Sequence, residues 1–217
     1  MTKQSEYLIK PLVLAISLAA STNLIAQELR LEEVVVTAQK REQSMQGVPV
    51  AITALSSDSL KNAGVQTIED VERLSPNTQL RASRATNTTL TAYIRGIGQN
   101  DPLWGFEPGV GLYIDDVYFA RPQGAMLDVY DIERIEVLRG PQGSLYGKNT
   151  IGGAIKYVTK KIATEPEASI DVALGSYNQK DLTVSASLPL VADKVYLGAT
   201  IAQFKRDGYG TNAYTNG

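Results

Sequence analysis

The chain has 217 residues, with 21 Lys and Arg against 23 Asp and Glu, and contains neither Cys nor His. Lack of Cys excludes disulfides, thiolate metal sites and a Cys nucleophile. Lack of His excludes Ser-His-Asp chemistry, His-ligated zinc and a His pH switch. A net charge of -2 leaves no electrostatic footprint for nucleic acid. No apolar run reaches the about 18 residues of a transmembrane helix, which leaves membrane β-strands open.

The first 26 residues read as an export signal: Lys3 and Lys10, the apolar run Leu12 to Ala20, then Ser21, Thr22 and Asn23, with cleavage after Ala26. Residues 27–47 are polar apart from the β-branched island Val34-Val35-Val36-Thr37. So polar a segment buries little by itself and is expected to be mobile, its island a strand waiting for a partner edge. An edge strand of the following domain is the plain alternative.

From Val48 the pattern is that of a small α+β domain running to residue 160. Val48, Val50 and Ile52 alternate as a strand, Ser57 caps a helix to about Ala63, and Gly64 stops it. Thr67 caps a second helix with Asp70 in a capping-box position, and Pro76 ends it. Leu90, Ala92 and Ile94 form a strand. Val110, Leu112 and Ile114, the turn Asp115-Asp116 and the return Val117-Tyr118-Phe119 form a hairpin. Ile135, Val137 and Arg139 make one more strand, and Ala154 to Thr159 another.

The remaining segment, 161–217, has a different texture. Ala168 to Leu174, Leu182 to Leu188 and Val195 to Ile201 each alternate apolar with small or polar residues, separated by turns at 175–181 and 189–194. This suits a membrane barrel wall, apolar outside and small or polar inside. A soluble antiparallel sheet with one buried face has the same period. The chain stops in the polar stretch Gly208 to Gly217. An open three-stranded sheet has two unpaired edges, so the expectation is either a different fold for this segment or a longer protein of which this is the N-terminal part.

Nucleotide motifs fail on spacing. Gly143 to Asn149 has three residues between its glycines and Asn149 where a phosphate loop has Ser or Thr; Arg95-Gly96-Ile97-Gly98 lacks a third glycine. Glu133 and Glu136 read as solvated or edge carboxylates, and no carboxylate pair has acid/base spacing. Arg95 and Arg139 each end an apolar strand just before a glycine, where a side chain can reach a carboxylate partner; two surface arginines are the alternative. The loop 99–109 holds the sole Trp and one of three Phe, and is read as a ligand contact or a loop mini-core.

The run Arg134 to Lys160 (RIEVLRGPQGSLYGKNTIGGAIKYVTK) resembles the plug domain of TonB-dependent outer-membrane receptors. Glu33-Val34-Val35-Val36-Thr37-Ala38 resembles the TonB box, and Tyr93-Ile94-Arg95-Gly96 and Tyr113-Ile114-Asp115-Asp116-Val117 the central plug strands. The resemblance implies an α+β plug domain (48–160) after a signal peptide (1–26) and a flexible TonB-box segment (27–47). The first strands of an antiparallel transmembrane β-barrel of about 22 strands follow (161–217). It implies no enzyme activity and no cofactor or metal. The implied function is import of a scarce nutrient, a ferric siderophore first among them, with energy relayed by TonB and its inner-membrane complex from a bacterial outer membrane. The implied partners are TonB, outer-membrane lipid and the small-molecule substrate. Residues 33–38 would bind TonB, Arg95 and Arg139 would lock the plug to barrel glutamates, and Trp104, Phe106, Tyr118 and Arg121 would touch substrate. The rival expectation is a truncated plug that acts only as a binding module or has no function.

Overall fold

The computed structural model describes residues 34–210 other than 85, 104 and 192. The expected export signal, Glu33, Trp104 and the polar end 211–217 lie outside the described residues. In chain order the elements are β1 (Val35–Val36), β2 (Gln43–Ser44), β3 (Ala51–Ser56), α1 (Ser57–Asn62), a 3-10 helix (Ile68–Leu74), β4 (Thr78–Ser83), β5 (Thr86–Ile94) and β6 (Ile97–Gly98). Then follow β7 (Val110–Ile114), β8 (Val117–Phe119), β9 (Ile132–Arg139), α2 (Gly143–Tyr146), β10 (Gly153–Thr159), β11 (Glu167–Gly175), β12 (Gln179–Val191) and β13 (Val195–Lys205).

The central sheet has the order β3-β9-β10-β7-β8, antiparallel except for β10 beside β7. Its middle strands are apolar almost without interruption: Ile135, Val137, Leu138, Ala154 and Ile155 are all fully buried. Such a run needs cover on both faces. One face packs Val137 and Ile155 against Leu60, Ile68, Val71, Leu80 and Ile94. The other packs Leu138 and Ala154 against Tyr113, Tyr146, Val36 and Ala38.

The expectation of a mobile segment over 27–47 therefore differs from what is seen from Val34 onward. β1 pairs with β2 in antiparallel register, Val36 opposite Gln43, and Val36 and Ala38 cover the second face of the sheet. Composition does not foresee this, because the surface that buries the two residues comes from strands about a hundred positions away.

Local chemistry shifts other boundaries. α1 starts one residue early because the Ser56 hydroxyl, not that of Ser57, accepts the Ser59 N–H at 3.3 Å. The first expected strand slides to Ala51–Ser56, where it pairs with β9. The helix after Thr67 is a 3-10 helix; the Asp70 carboxylate accepts from the N–H groups of Gln66 (3.0 Å) and Thr67 (3.1 Å) as the capping-box pattern requires. Gly153 at φ +153 is bound to be glycine, since a Cβ there would lie 2.2 Å from the Leu138 carbonyl oxygen.

β11, β12 and β13 form a separate antiparallel sheet. Its register aligns Ile170, Val184 and Ile201 across one face, and Ser169, Ser185 and Thr200 across the other. The apolar face is the exposed one, with Ile170 71% and Ile201 73% exposed. The polar face turns toward the domain: Thr200 Oγ1 donates to Asp131 at 2.8 Å, and Lys61 Nζ lies 2.9 Å from Asp171. A soluble sheet would bury its apolar face, so this orientation rejects that alternative. Among the described residues no helix is long and apolar enough to cross a membrane.

Candidate functional site

Three constellations hold the residues expected to be functional. The first is the seat of the N-terminal strand. Thr37 is held through three of its polar atoms. Its N–H donates to Glu136 Oε1 at 2.8 Å, and its carbonyl accepts from Lys156 Nζ at 3.0 Å. Its hydroxyl donates to Glu136 Oε1 at 3.1 Å while accepting from Lys156 Nζ (2.8 Å) and Arg134 Nη2 (3.3 Å). Tyr146 Oη donates to the Ala38 carbonyl at 2.8 Å. Burial, then the charges of Glu136 and Asp116, push the Tyr146 hydroxyl well above its ordinary range, so it stays a donor.

The reading of Glu136 as a solvated or edge carboxylate is corrected here. Glu136 is fully buried on the middle strand β9, and Lys156, opposite it on β10, is 1% exposed. Burial is tolerable because each charge is answered: Glu136 by Arg134 Nε at 2.7 Å, Lys156 by Asp116 at 2.9 Å. Arg134 also contacts Glu133. Alternation within an apolar strand hid these residues, and the charged positions in IEV and AIKY were the available signal.

The second constellation is the arginine pair. Arg95 (φ 53) and Gly96 (φ 79) form the two-residue turn between β5 and β6. Arg139 ends β9. The fold brings the two together: a Cβ on Gly140, itself at φ +103, would sit 3.2 Å from Arg95 Nη1. Arg139 Nη1 donates to the Pro76 carbonyl at 3.4 Å, and its Nε is buried with no partner among the described residues. Arg95 borders a recess of about 490 Å³ with Asn77, Gln79 and Tyr93. Arg95 at the recess, with Arg139 close behind it at Pro76, suits an anionic group from another segment.

The third is a cleft of about 30 Å³ between the 99–106 and 119–125 loops. Phe106, Arg121 and Gln99 line it together with Leu90, Leu112 and Phe119. The loops are tied by Gln123 Nε2 donating to the Pro102 carbonyl at 2.6 Å. Tyr118 is not part of this lining. On a strand, neighbours point to opposite faces, so Phe119 enters the cleft while Tyr118 packs on Tyr113 (centroids 5.4 Å apart) and accepts from Asn149 at 3.0 Å. Phe119 is the residue missed, and the hairpin alternation was the signal for it.

A mixed-sheet domain seated against the polar face of an antiparallel wall whose apolar face is exposed has the architecture of a plugged membrane barrel. Residues 44–154 match the family model described as TonB-dependent Receptor Plug Domain. The chain is 30% identical over 185 residues to the Pesticin receptor of Yersinia pestis, covering 83% of this chain and 26% of that protein. It is 28% identical over 169 residues to the Vitamin B12 transporter BtuB of Vibrio vulnificus, covering 76% of this chain and 27% of that protein. The crystal structure of the ferric yersiniabactin uptake receptor FyuA from Yersinia pestis superimposes with a TM-score of 0.68 at 28% identity, over 77% of this chain and 26% of that one. The chain belongs to the TonB-dependent receptors, carrying their plug domain and antiparallel strands of the barrel. It spans about a quarter of the length of the relatives it matches. Those relatives are named as receptors and transporters.

Proposed function

We propose that this chain is the plug-bearing part of a bacterial outer-membrane receptor. The receptor binds a scarce nutrient, a ferric siderophore in the first instance, and imports it with energy relayed by TonB. The observation that carries the reading is the inverted wall: three strands apolar outward and polar toward a plug that fills the space behind them. A lipid environment stabilises that arrangement. Names of relatives support a nutrient cargo, with ferric yersiniabactin and vitamin B12 as two examples.

Three physical steps follow. Substrate contacts Phe106, Phe119 and Arg121 at the loop cleft, and its differential binding shifts the plug between states. Residues 33–38 then add as a strand to TonB, with main-chain hydrogen bonds supplying the affinity. Arg95 and Arg139 hold the plug to carboxylates of the barrel until force is applied. No covalent step is involved.

Val35→Pro in the full-length receptor tests this. It removes a main-chain donor from the strand without touching the cleft. Uptake of the labelled substrate should collapse while its binding to outer membranes persists; normal uptake would refute the proposal.

A further inference from the structure

The seat of the N-terminal strand is more than packing. Lys156, Glu136 and Arg134 place three formal charges on buried positions of β9 and β10, and all three converge on one neutral residue, Thr37. A hydroxyl has one proton and two lone pairs. The Thr37 hydroxyl has one acceptor, Glu136, and two donors, Lys156 and Arg134, so its capacity is filled. Its N–H and C=O are taken by the same two strands. This is a built binding site whose ligand is a segment of the same chain.

We propose that Glu136, Lys156 and Arg134 form a buried clasp that grips Thr37 and holds the N-terminal strand in competition with TonB. The proposal rests on the reading of residues 33–38 as the TonB-binding strand and adds what regulates it. Competition is direct because the clasp uses the main-chain groups of Thr37 that strand addition needs. Release is reversible because the clasp does not lose its charge balance. When Thr37 leaves, Glu136 keeps Arg134 and Lys156 keeps Asp116, so no charge is left alone. Ion pairs that existed only to stabilise the core would not need a neutral third party between them.

The 217 residues contain no Cys, and with any cysteine elsewhere in the receptor replaced by Ser an introduced thiol is the sole site of labelling. In the full-length receptor in membrane vesicles, Val36→Cys places a thiol at a fully buried position that a maleimide reaches only when the strand undocks. Lys156→Met and, separately, Thr37→Val should each raise the labelling rate at least about tenfold, equivalent to about 1.4 kcal/mol. A thiol at buried Val71, on the opposite face of the sheet, should keep its rate. Thr37→Val alters no core residue, so it decides the matter if Lys156→Met loosens the whole domain or fails to fold. Unchanged labelling at position 36 in Thr37→Val overturns the clasp. Capture of a purified TonB periplasmic domain by the same vesicles should rise with the labelling rate. Faster labelling with no TonB capture by any variant or the parent overturns the TonB reading and leaves the clasp standing as a docking site.

Discussion

Tyr146→Phe isolates one hydroxyl in the seat of the N-terminal strand, close to the Ala38 carbonyl and, at 3.4 Å, to that of Thr37. The substitution removes only the hydroxyl that donates to the Ala38 carbonyl at 2.8 Å. The ring keeps its edge contact with Tyr113, centroids 5.0 Å apart, and its main-chain carbonyl still accepts from Tyr113 Oη at 2.6 Å. Ala38 is 1% exposed, so its carbonyl loses a donor in a place where water does not replace it. An acceptor stranded in this way costs about 1–3 kcal/mol, which multiplies the undocked fraction by about 5 to 150. Amide hydrogen exchange at Thr37 reads that fraction, because the Thr37 N–H is protected by Glu136 only while the strand is docked. Exchange at Thr37 should accelerate by that factor while amides of β9 keep their rates. Unchanged exchange at Thr37, or the same acceleration throughout β9, would refute the reasoning. The pH dependence has a definite sign. The folded pKa of Tyr146 lies above its ordinary value of 10.0, first through burial and then through Glu136 and Asp116. The hydroxyl's contribution is therefore fully present below pH 10.0 and disappears as pH rises through the folded value. After correction for intrinsic exchange, Thr37 protection should be flat through neutral pH.

The other perturbations probe the remaining constellations in the full-length receptor. Arg95→Ala combined with Arg139→Ala should raise passive leakage of large antibiotics across the outer membrane, and unchanged leakage would count against the lock. Phe119→Ala should weaken substrate binding about tenfold, as loss of an aromatic anchor does, whereas Tyr118→Ala should leave affinity intact; equal effects of the two would reject the placement of the cleft. Val184→Arg puts a charge on the outward face of the wall at a cost of about 2–4 kcal/mol near mid-membrane. The heat-modifiable folded band should diminish on electrophoresis, and a normal band would argue that this face does not meet lipid.

Much of this protein is determined by short-range rules that a sequence displays directly. Period-two alternation marked β7, β8 and the three wall strands, because side chains on a strand alternate whatever the strand packs against. Asp115-Asp116 marked its turn because both residues tolerate the positive φ, 46° and 68°, that a two-residue hairpin demands. The run from Arg134 to Lys160 marked the plug. Other features depend on segments far apart in the chain. Periodicity is the same for a soluble sheet and a barrel wall, and only the placement of Ser169, Ser185 and Thr200 toward the plug separated the two. The arginines became a pair only when the β5–β6 turn and the end of β9 met at Gly140. Glu136 and Lys156 sit in apolar strands, where a lone charge reads as a surface position until its partners are in place. Their burial is decided by Arg134 on the same strand as Glu136 and by Thr37 and Asp116 arriving from two other stretches of chain. The docking of Val36 and Ala38, within the segment 27–47 expected to be mobile, has the same origin: a polar segment cannot bury itself, but the uncovered face of a five-stranded sheet can bury its few apolar residues.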